Sequence, residues 1–125
     1  MKKLIKTLSA IDGDIYVTSK GSRRLLASFT GRIEIYEKQI LIPIFGKVEK
    51  GIKSIYASFI VADNVDYHID IDENTIHSGK VYEATAFVEN EKLYFAGLIF
   101  HDFDPISNEL TFEIRDRELI EKLTK

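Results

Sequence analysis

Along most of this chain apolar and polar residues alternate in short runs, rich in Ile, Val, Tyr and Phe and separated by Gly, Asn, Asp and Ser. An alternation of two sends successive side chains to opposite faces, which is the mark of a half-buried strand. The pattern predicts strands over 14–18, 25–29, 32–37, 40–45, 54–62, 65–71, 81–88, 93–100 and 110–114. Short strands at such regular spacing predict an all-β domain, mainly an antiparallel sandwich or partly open barrel of about eight or nine strands. Asp12-Gly13, Lys20-Gly21-Ser22, Asp63-Asn64 and Asn90-Glu91 fall between the runs and read as turns, because Gly and Asn accept positive φ.

Two segments need separate treatment. Ile52, Ile55, Tyr56, Phe59 and Ile60 recur at a helical period, but their β-branched and aromatic character favours a strand, which is the reading adopted. Near the end, Asp116 suits a helix cap, Glu118 the positive N-terminal end and Lys122 the negative C-terminal end, while Leu119, Ile120 and Leu123 form an apolar stripe. A short C-terminal helix packed on the sheet is therefore expected.

Pro43 lacks the amide hydrogen that a central strand needs, so the 40–45 run is expected at an edge or a bulge. An edge carrying Ile40, Ile42 and Ile44 is apolar enough to be covered by another chain, and these three are the candidate interface residues.

Composition narrows the class. At 125 residues, 45% hydrophobic and 30% charged, the chain has the size and balance of one globular domain spanning 1–125. It has no cysteine, which removes disulfides, thiolate nucleophiles and sulfur-bound zinc. Lys6, Asp12 and Asp14 break up the basic, apolar start, and no stretch approaches the roughly 18 apolar residues of a membrane-spanning helix. The expectation is a cytoplasmic protein without membrane contact.

Charge is divided along the chain. Residues 1–60 hold eleven Lys and Arg against five Asp and Glu, residues 61–125 hold six against fifteen, and the total is −3. Such asymmetry points to an electrostatic partner or to self-association.

Candidate chemistry is sparse. If 66–72 is a strand, Asp66, His68, Asp70 and Asp72 line one face, and His101 with Asp102 could complete an oxygen and imidazole shell suited to manganese, iron or magnesium. The metal candidates are thus His68, Asp70, His101 and Asp102, set against the plainer reading of a solvated strand face. Asp70, Asp72 and Asn74 match the opening of a calcium loop, but Thr75 stands where that loop needs Gly and Val81 where it needs Glu. In the Gly46 to Ser54 stretch Ile52 separates the second Gly from Lys53, which departs from a phosphate-binding loop.

For nucleic acid, the candidates are Lys20, Arg23 and Arg24 at one turn and Lys47, Lys50 and Lys53 at another, with Tyr16, Tyr36 or Tyr56 as stacking partners. The acidic balance, with a pI near 5.6, runs against that use. No catalytic residue is assigned and no cofactor is implied. The expected role is non-catalytic binding or assembly through a protein partner or self-association. Single-stranded nucleic-acid binding is the first alternative and a metal-dependent His/Asp enzyme the second.

Overall fold

In the computed structural model, which describes residues 2–19, 21–39, 42–44, 47–49, 53–61 and 81–125, the alternating runs close on themselves. The elements in chain order are β1 (Lys2–Ser19), β2 (Ser22–Gln39), β3 (Ile42–Ile44), β4 (Lys47–Glu49), β5 (Lys53–Val61), β6 (Val81–Val88), β7 (Glu91–Asp104), β8 (Glu109–Ile114) and α1 (Arg117–Thr124). Six strands form a closed barrel in the order β1-β2-β5-β8-β7-β6, with every neighbouring pair antiparallel. The all-β class and the terminal helix are as expected, and closure leaves the barrel neither a simple sandwich nor open.

Three contiguous strands come from the first half of the chain and three from the second. The two meanders meet at two seams, β1 against β6 and β5 against β8. Among the described residues the strands of the two halves therefore do not interleave. β1, β2 and β5 carry eight Lys and Arg against four acids, whereas β6, β7, β8 and α1 carry three against eight.

The longest strands meet their two neighbours over different stretches. β1 pairs with β2 along its length but with β6 only from Ala10 to Thr18, and β2 meets β5 only from Phe29 onward. β7 pairs with β6 up to Leu98 and with β8 from Ile99. Long strands that coil around a closed barrel must bend, and bulges supply the bend. Register shifts fall at Ala10/Gly13 in β1 and Phe29/Ile33 in β2, beside Asp12 with φ of 52° and Gly31 with φ of 111°. The Asp12-Gly13 pair read as a turn is thus a bulge inside one strand, and the 25–29 and 32–37 runs are one strand carried through Gly31.

Other turns fall where the sequence placed them. Gly21, with φ of 81°, joins β1 to β2, and Glu89 with Asn90, both at positive φ, joins β6 to β7 one residue earlier than the Asn90-Glu91 reading. The 53–61 segment is a strand, not a helix. The predicted 65–71 strand and the Asp63-Asn64 turn lie outside the described residues.

Inward positions fill the barrel with rings. Phe59 meets Phe29 at 4.9 Å, Phe95 at 5.5 Å and Phe112 at 5.9 Å between centroids, all edge-on, the arrangement that ring quadrupoles favour. Tyr82 packs on Phe112 at 5.5 Å, and Ile15, Ile33, Ile35 and Leu110 complete a core sealed from solvent. Helix α1 adds Leu119 and Leu123 to that core. It starts where expected: the Asp116 carboxylate accepts hydrogen bonds from the amides of Glu118 at 3.1 Å and Leu119 at 3.5 Å. Lys122 holds the helix to β7 through Glu91 at 2.8 Å.

Candidate functional site

A filled interior directs attention to the outside of the wall. On β6, Tyr82, Ala84, Ala86 and Val88 point inward, so Val81, Glu83, Thr85 and Phe87 point outward. The same face takes Tyr16 and Ile11 from β1, Leu25 from β2 and Tyr94 from β7, as the registers Ile11 with Phe87, Tyr16 with Leu25 and Glu83, and Thr85 with Tyr94 require. Seven large apolar side chains are exposed among the described residues, and five of them, Ile11, Leu25, Val81, Phe87 and Tyr94, lie on this one face. Each is about half exposed or more, from 48% at Phe87 to 66% at Ile11.

Several polar groups among them are already engaged. Arg23 Nε lies 2.6 Å from Glu83 Oε1, and its guanidinium sits 4.0 Å from the centre of the Tyr16 ring. The Tyr94 hydroxyl donates to the other oxygen of Glu83, and Ser28 donates to Asp14 at 2.8 Å. Donation to a carboxylate favours the protonated phenol, so the Tyr94 pKa is raised above its ordinary value, with burial adding to the effect. Closed pairs of this kind can be covered without stranding them, while exposed Lys92, opposite Phe87 in register, adds a cation to the face.

The opposite side of the barrel carries a second outward group. Leu4, Tyr36, Tyr56, Glu113 and Ile99 occupy successive register positions across five strands. Tyr36 and Tyr56 are 4% and 5% exposed and stack at 5.6 Å, outside the core proper. Lys2 covers Tyr36 at 4.2 Å, and His101 packs on Tyr56 at 4.9 Å. Burial, with the Glu113 charge, raises the Tyr56 pKa. Ring faces taken up in this way leave little room for a base to stack, so Tyr36 and Tyr56 serve as a structural clasp.

Those of the residues proposed from sequence that are described do not come together in one site. Arg23 is committed to Glu83 and Tyr16, Lys53 lies 3.5 Å from Glu37, and Arg24 also has an interaction within the chain. Lys20 and Lys50 lie outside the described residues, and Lys47 falls in β4, whose backbone pairs with β3. Of the metal candidates, His68 and Asp70 lie outside the described residues. His101 and Asp102 belong to β7 itself rather than to a loop after it, and among the described residues no group of three or more metal-binding side chains converges. Ile40 lies outside the described residues, while Ile42 and Ile44 sit in β3 of a two-stranded ribbon, with Ile42 opposite Glu49 and Ile44 opposite Lys47.

No charge cluster or motif marks the Ile11–Phe87 face in the sequence. Its signal is nonetheless present: Val81 and Phe87 are apolar at the outward phase of an otherwise alternating strand. A separate open groove of about 750 Å³ runs where β5 and β8 meet the start of α1, with Ile55, Ile114 and Ile120 against Lys53, Arg115 and Arg117. Arg115 and Lys53 already pair with Glu113 and Glu37 there. Among the described residues no helix is long and apolar enough to cross a membrane. Comparison with family models, with curated proteins and with solved structures gives no match.

Proposed function

We propose that this protein is a non-catalytic, cytoplasmic β-barrel module that works by assembly with protein, and that the outer face of β2, β1, β6 and β7 is its contact surface. One observation carries the reading: five of the seven exposed large apolar side chains gather on that face. Apolar residues scattered singly over a surface need no explanation, but a contiguous group of them commonly marks a contact site. The filled interior supports the same reading, since a barrel occupied by its own phenylalanines leaves binding to the outer wall.

Site-specific photocrosslinking in cells tests this. A photoreactive phenylalanine analogue at position 87 should form covalent adducts with protein, while the same group at the turn residue Ile106, which is 96% exposed, should not. Equal yield of adducts at the two positions, or none at either, would end the proposal.

A further inference from the structure

We draw no further inference here: the strongest candidate, the open groove where β5 and β8 meet the start of α1, has Lys53 and Arg115 of its three cations already paired with Glu37 and Glu113, and nothing in the structure shows what covers its apolar floor of Ile55, Ile114 and Ile120.

Discussion

Gly13 gives the sharpest test of the barrel's packing. It is buried at the β1 bulge, and a methyl group built on it would overlap the outer carbons of the Phe29 ring. That ring is 1% exposed and held edge-on against Phe59 at 4.9 Å, so it cannot withdraw without opening the core. Gly13→Ala should therefore cost about 1–3 kcal/mol through overpacking, plus part of the roughly 3–5 kcal/mol attached to losing a buried phenylalanine if the ring is displaced. Because Gly13 does not adopt a positive φ, alanine fits its backbone and regains about 0.4–1 kcal/mol by restricting the unfolded chain. The net expectation is a loss of about 2–4 kcal/mol. With an unfolding entropy of about 2.1 cal/mol/K per residue over 125 residues, that lowers Tm by about 8–15 °C. The assay is urea and thermal unfolding followed by circular dichroism, with Phe29→Leu and the double variant completing a cycle. The double variant should lose less than the sum of the singles, because the shorter side chain makes room for the methyl group. A Gly13→Ala protein within about 0.5 kcal/mol of the parent would refute the packing described here.

Other perturbations follow from single contacts. Asp116→Ala removes the cap of α1 and should cost about 1 kcal/mol in urea unfolding, with Asp116→Asn retaining most of it. Ser58 and Thr111 share a buried hydrogen bond of 3.1 Å, so Ser58→Ala should cost about 1–2 kcal/mol and the Ser58→Ala/Thr111→Val pair less than the sum of its parts. The folded-state pKa values of Tyr94 and Tyr56 are raised, so the stability they contribute is complete below the unfolded value near 10 and is lost as pH climbs through the folded values. Ultraviolet titration of the phenols should show both ionising late, and Glu83→Gln should bring Tyr94 earlier while leaving Tyr56 in place.

The helix and the β6 strand are legible in the sequence because each obeys one period from end to end and has clear stops. Asp116, Leu119 and Leu123 announce the helix, and the 81–88 alternation is the observed strand. β1 and β2 are not legible as 18-residue strands because bulges break their phase. At Asp12-Gly13 and Gly31 the chain uses the residues and positive φ angles of a turn, yet pairing continues beyond them, and only the partner strand distinguishes the two cases. Burial of Tyr36 and Tyr56 is similarly hidden, since it depends on Lys2 and His101 arriving from strands distant in the sequence.

The charge asymmetry illustrates what topology adds to composition. A count along the chain says that the halves differ in sign but not whether their strands alternate around the barrel, in which case opposite charges would mix and cancel. The order β1-β2-β5-β8-β7-β6 keeps the described strands of each half together, so their summed charges differ in sign, although the β1 stretch that meets β6 carries only Asp12 and Asp14. Helix α1 follows directly from β8, and its Ile120 reaches the groove at the β5/β8 end of the barrel. The β1/β6 seam instead carries the outward Ile11 and Phe87 side by side. Apolar exposure on that seam is thus separate from the difference in charge, because β1 brings only Asp12 and Asp14 to it and β6 only Glu83. The outward apolar group, rather than the charge of the halves, is what sets this part of the wall apart from the groove beside α1.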